Sequence, residues 1–285
     1  MKTTVFVSFS GGRTSAYMCA MLLERFSHKH EFIFVFANTG KEHPETIKFV
    51  KRCDEYLGLN LVLLETVVHE GVVGCTHKIV TYETLSMDGS PFERVIEKYG
   101  IPNADFPHCN RELKINPINS YKRSLGFKTK HPVAIGIRAD EIDRMSMDAM
   151  EKYGAFYPLI SMRPTKKAEI VFWWRDMPFN LEIPEHLGNC VTCWKKSLRK
   201  LKTIAKNTPE EFSFFERMER THANTGAGDK SRVFFRKHMS AQQIIASSKF
   251  PFLESLDYKP EQQLALFEVE EDDIEFGCGA SCEAA

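Results

Sequence analysis

Apolar residues in the first half of the chain come in two kinds of stretch: short β-branched or aromatic runs, and longer segments in which they recur every three or four positions. Thr3 to Val7 is of the first kind and predicts a strand, and Thr14 to Phe26 is of the second and predicts a helix. Glu31 to Phe36 then predicts a buried strand, Pro44 to Leu57 a helix with proline in its first turn, and Asn60 to Val67 a third strand. A fourth strand is expected over His131 to Ile137, after helices near Phe92 to Tyr99 and Ile115 to Leu125. Alternating helices and almost wholly apolar strands predict an α/β fold, a doubly wound parallel sheet with helices on both faces. Beyond about residue 160 the strand pattern stops, and Thr165 to Asp176, Lys195 to Asn207, Pro209 to Arg220 and Ser240 to Ser248 predict helices, with a glycine-containing loop over Asn224 to Lys230. The expected organisation is an α/β domain over 1–160, a helical C-terminal appendage over 161–267 and an acidic, cysteine-containing flexible tail over 268–285.

Ser8-Phe9-Ser10-Gly11-Gly12-Arg13-Thr14-Ser15 joins the first strand to the first helix. Two glycines free backbone N–H groups, two hydroxyls flank them, and the positive end of a helix dipole lies next to them, which is the physics of a phosphate cradle. The segment lacks the lysine of a GxxxxGK[ST] loop. Ligands of parallel sheets sit at the carboxyl ends of the strands, so this loop, the Asn38-Thr39-Gly40 turn and the segment from Gly136 to Arg144 are expected on one rim.

Charge changes the picture by what it removes. With 38 basic and 38 acidic residues the chain has no global field that would draw it to nucleic acid or to a membrane. The N-terminal run is too short and too polar for a signal peptide or spanning helix, so the expected location is cytoplasmic, with no membrane partner. There, eight cysteines are better suited to metal ligation, redox chemistry or packing than to structural disulfides.

Four segments now resemble one family. Ser8 to Ser15 is similar to an SGGxDS loop, Asn38-Thr39-Gly40 through Pro44-Glu45-Thr46 to an NTGxxxPET segment, Gly136 through Arg144 to GxRxxExxxR, and Tyr157-Pro158-Leu159-Ile160 to an HPL-type segment before a helix. Together they resemble the phosphoadenosine phosphosulfate (PAPS) reductase family, within the group of PP-loop ATP pyrophosphatases, also described as adenine nucleotide alpha hydrolase-like. The resemblance spans roughly residues 3 to 195 and implies an adenine-nucleotide-binding α/β sheet. Nucleotide-binding positions would be Ser8, Ser10, Gly11, Gly12, Arg13, Thr14, Ser15, Asn38, Thr39, Gly40 and Gly136. Thr14 stands where the pyrophosphatases have aspartate, which tilts the loop from a triphosphate with magnesium toward a sulfonucleotide. Arg138 and Arg144 carry guanidinium forks that match sulfate or phosphate oxygens, and both are expected at the ligand's anionic end.

Sulfur forms the second constellation. Cys190-Val191-Thr192-Cys193 is a CxxC in a glycine-led loop, and with Cys109 brought in from upstream it can bind one metal centre. The iron-sulfur branch of the family has a Cys-Cys pair before a lysine and a proline, then a CxxC. Lys114 and Pro117 suit that pattern, but Cys109 stands alone between His108 and Asn110. The resemblance thus implies a [4Fe-4S] cluster on three cysteines, with His108, a tail cysteine such as Cys282, or nothing in the fourth position; a zinc site completed by Cys278 or Cys282 is the alternative. Cys19, Cys53 and Cys75 read as packing residues. Cys278-Gly279 resembles the family's tail Glu-Cys-Gly, whose cysteine attacks sulfur, and Cys282 would resolve the intermediate as a disulfide or complete a metal site.

Two functions follow from the resemblance. Thiol-dependent reduction of a sulfonucleotide, APS or PAPS, comes first, with Cys278, Arg138 and Arg144 as catalytic residues and a thioredoxin-like reductant as partner. The alternative is ATP-dependent, pyrophosphate-releasing sulfur transfer to a nucleic-acid base, with magnesium accompanying ATP. For a nucleic acid, the docking face would be the basic residues Lys195, Lys196, Arg199, Lys200 and Lys202, which otherwise read as a solvated helix face.

Overall fold

The computed structural model describes residues 2–226 and 231–257. Cys278, Cys282 and the rest of the tail lie outside the described residues, and so does part of the Asn224 to Lys230 loop. In chain order the elements are β1 (Thr3–Ser8), α1 (Arg13–Phe26), β2 (His30–Asn38), α2 (Pro44–Leu57), β3 (Val62–Val67), β4 (Thr76–Val80) and α3 (Ser90–Tyr99). A π-helical turn (Arg111–Ile115) leads into α4 (Asn116–Ser124), followed by β5 (Val133–Ile135), a 3-10 turn (Ala139–Arg144), α5 (Met147–Tyr153), β6 (Ala155–Phe156), α6 (Pro158–Ser161) and α7 (Lys167–Arg175). Last come α8 (Leu198–Asn207), α9 (Ser213–His222) and α10 (Ala241–Ser247).

The strands form one sheet in the order β4-β3-β2-β1-β5-β6, parallel throughout except for β4. The strand period of two sorts side chains to its two faces. Phe6, Val35, Leu64 and Ile135 pack with Ile118 and Tyr121 of α4, while Val7, Phe34, Phe36, Leu63 and Ala134 pack with α1, α2 and Trp174 of α7. Burial on both faces is why these strands are almost wholly apolar. β4 was not predicted: its sequence, Thr-His-Lys-Ile-Val, pairs antiparallel at the sheet edge with half its length in water, so no apolar run marks it.

Helix bounds follow their local signals. α2 matches the expected Pro44 to Leu57: the His43 ring accepts the Glu45 N–H at its start, and Gly58, at φ 64°, ends it in the left-handed region. α8 starts three residues later than the charge pattern suggests, because the Ser197 hydroxyl caps the Lys200 N–H. Lys195 and Lys196 are therefore buried in the preceding turn rather than displayed on a helix face. A further apolar cluster joins Phe92, Val95 and Ile96 of α3 to Leu201, Phe215, Phe234 and Ile244, seating α8, α9 and α10 on α3.

Register places the functional loops. Ser8, the last residue of β1, lies opposite Val35 of β2 and Ile135 of β5. The glycine loop, the Asn38 turn and the Gly136 segment accordingly leave the sheet at the same edge, as expected from the sequence. No described helix is long and apolar enough to cross a membrane.

Candidate functional site

The glycine loop is shaped by its own hydroxyls. The Ser10 and Ser15 oxygens lie 2.9 Å apart, the Ser10 N–H reaches the Ser15 Oγ at 3.2 Å, and the Ser15 hydroxyl donates to the Gly12 carbonyl at 3.0 Å. These side chains turn into the loop and brace it. Gly11 sits at φ 82°, and a Cβ there would come within 3.0 Å of Thr46 and 3.2 Å of Phe36 and Val50, so the loop packs against α2 as only glycine allows. At Gly136 a Cβ would meet the Ser15 Cα at 3.0 Å, which lets the end of β5 approach the start of α1. Gly12 caps α1 in extended conformation with no side-chain bond, and the first turn of the helix holds no acidic residue. Its N–H groups and positive dipole end are left for an anion.

Above this loop lies a cavity of about 250 Å³ lined by Gly11, Gly12, Arg13, Thr14, Arg138 and Glu141, and closed on its far side by the 181–189 segment, Lys167 and Lys200. Arg138 reaches the Thr14 hydroxyl at 3.2 Å, and Asp140 and Glu141 at 3.0 and 3.3 Å. It lines the cavity together with the glycine loop. Arg144 is not in the cavity wall; it pairs with Glu141 from behind. Arg13 turns its guanidinium away, to Asn180 at 2.7 Å and the Leu181 carbonyl, and burial lowers its pKa. Its side chain thereby ties the start of α1 to the cavity's far wall.

The Asn38 turn is held by its own hydrogen bonds. The Asn38 amide donates to Glu65 at 2.7 Å and to the Ser86 carbonyl at 2.8 Å, and its oxygen accepts the Gly40 N–H at 3.1 Å. The Gly40 φ of 81° and its contact with Pro91 complete a buried structural knot. Thr39 donates through its N–H and hydroxyl to buried Glu42, and it faces a different pocket.

That second pocket holds the sulfur. Cys109, Cys190 and Cys193, predicted from two segments, line one apolar cavity of about 50 Å³ with Asn110, Lys114, Trp194 and Lys195. The 39–42 turn grips the CxxC through an antiparallel bridge between Glu42 and Cys190 and the Val191 N–H on the Lys41 carbonyl, 3.1 Å. Burial, with Glu42 adding to it, pushes the Cys190 thiol up to about 12. The charges of Lys41 and Lys196 act in the opposite direction on Cys190, and the buried lysines at 114 and 195 line the same pocket.

Three observations test what this pocket suits. Both amide atoms of Asn110 and the indole N–H of Trp194 are buried without a hydrogen-bond partner, a cost normally met by a bound group. A single tetrahedral zinc would draw its sulfurs to about 3.8 Å of one another, given Zn–S bonds of about 2.3 Å. Among the described residues the three sulfurs do not gather within 4.8 Å; the trio that does is Glu93, Glu97 and His222, where Glu93 already pairs with Arg217. Three cysteines set wider than one zinc ion requires, beside the unmet polar atoms of Asn110 and Trp194, suit a larger, hydrogen-bond-accepting group. His108 lines a neighbouring cavity, its Nε2 buried without a hydrogen-bond partner and its pKa lowered to about 4 by burial and by Arg111.

The residue sequence reasoning missed is Asn189, which lines both cavities. Its φ of 58° in a Gly-Asn-Cys stretch was the available signal. Lys167 and Lys200, also in the nucleotide-facing wall, gave none beyond charge.

A glycine loop at a helix start and a three-cysteine pocket beside a mostly parallel sheet define the class: an α/β fold with two adjoining cavities at its functional rim. The chain matches the model of the phosphoadenosine phosphosulfate reductase domain over residues 4–169, and it belongs to that family. It is 31% identical over 245 residues to the nin region protein ORF290 of Escherichia phage lambda, covering 84% of this chain and 82% of that protein. Among solved structures it is similar to a phosphoadenylyl-sulfate reductase from Candida auris in complex with phosphate, at 16% identity and a TM-score of 0.38 over 63% of this chain and 76% of the other. It is similar also to the U34-tRNA thiolase NcsA from Methanococcus maripaludis with its [4Fe-4S] cluster, at 14% identity and a TM-score of 0.37 over 87% and 72%.

Proposed function

We propose that the protein is an enzyme that binds an adenine nucleotide over the glycine loop and uses it in sulfur chemistry at the three-cysteine pocket. The observation carrying this reading is that Asn189 walls both cavities, so a group held by the thiols lies against the nucleotide's reactive end. The N–H groups of Gly11 to Thr14 and the Arg138 guanidinium orient the anionic end, and the 181–189 segment keeps water from it. Cys109, Cys190 and Cys193 would hold an iron-sulfur group, with Asn110 and Trp194 bonding to its sulfur atoms. Such a group would supply electrons or a sulfur atom.

The choice between the two reactions rests on Asn110. It occupies the place where a neighbouring second cysteine would complete four thiolates, and three thiolates favour ATP-dependent, pyrophosphate-releasing sulfur transfer over reduction. Sulfonucleotide reduction is the second reading, favoured by Thr14 in place of an acid and its contact with Arg138. That reading needs Cys278, which lies outside the described residues. Anaerobically purified protein should convert ATP to AMP and pyrophosphate in the presence of a sulfur donor and acceptor. Release of sulfite from an adenylyl sulfate, with ATP untouched, would reverse the order of the two readings. Asn110→Cys should retain iron but change its electron paramagnetic resonance signal and depress turnover; an unchanged signal would remove Asn110 from the group's surroundings.

A further inference from the structure

A larger cavity, about 400 Å³, lies behind the sulfur pocket. The chain alternates between the two. His108 faces the larger cavity, Cys109 and Asn110 face the sulfur pocket, and Arg111 faces the larger cavity again. The sulfur pocket is thus placed between two ligand-sized spaces, sharing Asn189 with one and the His108 to Arg111 turn with the other. A centre that passes something from one bound molecule to another requires that arrangement.

The lining states the chemistry of the second molecule. Lys98, Arg111 and Arg232 bring three cations, against Asp105 in the wall and Glu112, which pairs with the Arg111 Nε at 2.7 Å. Lys98 is held by the neutral carbonyls of His69 and Val72, so its charge is not cancelled there. Phe106 is partly exposed and carries the Arg232 guanidinium over its ring at 3.7 Å, and Tyr99 adds a second ring. Cations around stackable rings recognise an aromatic base that bears phosphate. The volume suits one such unit, within the range of about 300 to 1,000 Å³ usual for ligand sites.

We infer that this cavity binds the second substrate, a phosphate-bearing aromatic base presented either as a free nucleotide or as one unit of a single strand. The inference rests on the sulfur-chemistry reading above for the word substrate, though not for binding.

The test uses full-length, anaerobically purified protein with saturating ATP to occupy the glycine-loop cavity. Uridine 5′-monophosphate is titrated by calorimetry, and a fluorescein-labelled oligouridylate RNA by anisotropy. At least one probe should bind, and loss of a stacking ring in Phe106→Ala should raise its dissociation constant about tenfold or more. Arg111→Gln should weaken it too and flatten its salt dependence. Thermal midpoints identify any variant that fails to fold, in which case the other variant decides. Preference for the RNA assigns the ligand to a strand; equal or better binding of the mononucleotide assigns it to a free nucleotide. Binding of neither probe, or binding indifferent to both substitutions, overturns the inference. AMP formation and iron content on the same sample report on the sulfur-chemistry reading separately: their absence with probe binding intact sinks that reading alone.

Discussion

The two cavities that meet at Asn189 solve different problems with different materials. The glycine-loop cavity has a floor built from one contiguous stretch, Gly11 to Thr14 at a helix end, and walls from distant segments whose charged side chains pair with one another around Glu141 and Glu185. The sulfur pocket draws on segments about eighty residues apart, is apolar, and leaves polar atoms of Asn110 and Trp194 buried and unmet. A phosphate carries its own strong acceptors and can be held at a partly wet surface. A thiolate-bound group needs a dry enclosure, and the sulfur pocket's apolar lining offers one.

If the two cavities are separate devices joined at one wall, substitutions should divide between them. The largest effect is expected for Cys193→Ser, which should lose most of the bound iron and visible absorbance while adenine-nucleotide affinity measured by calorimetry stays near the parent value. Loss of both together would show that the cavities do not act separately. Gly11→Ala comes next. The added methyl meets Thr46, Phe36 and Val50 at a positive φ, so the protein should lose on the order of 2 kcal/mol in urea unfolding, together with much of its nucleotide binding. Iron content should persist in the folded fraction.

Arg138→Ala should weaken nucleotide binding about tenfold, or roughly 1.4 kcal/mol, the scale of one charged hydrogen bond, with stability and iron unchanged. Arg144→Ala should do least. It removes a partly exposed pair to Glu141 outside the cavity wall, worth about 0.5 kcal/mol, and nucleotide affinity should shift by less than about threefold. If Arg144→Ala matched Arg138→Ala, the assignment of the two arginines to different sides of Glu141 would be wrong.

Sequence reading reached these two regions unequally, and particular residues show why. Gly11 and Gly12 between an apolar run and a helix announce a phosphate loop, because strand, turn and helix are each encoded over a few neighbouring residues. The same reasoning put Asn38, Ser10 and Ser15 at a ligand without showing that their side chains also brace the loops themselves; composition does not say whether a buried amide or hydroxyl faces a ligand or its own backbone. It also placed Lys195 and Lys196 on a solvated helix face, since charge normally marks solvent. Lys196 instead donates to the Gly188 carbonyl at 2.8 Å, inside the wall that separates the two cavities.

By itself the chain's order of residues determined the parallel sheet, the bounds of α2, the anion loop and the three cysteines, because all of these are written in periodicity, caps and spacing within a single element or motif. Tertiary structure alone decided that Cys109, Cys190 and Cys193 line one pocket as the spacing suggested, that His108 lines a different cavity, and that Asn189 lies in the wall of both the glycine-loop cavity and the sulfur pocket. Those outcomes depend on how the 39–42 turn pairs with the CxxC and how α8 and α9 seat on α3, which are contacts between distant segments that no local pattern records.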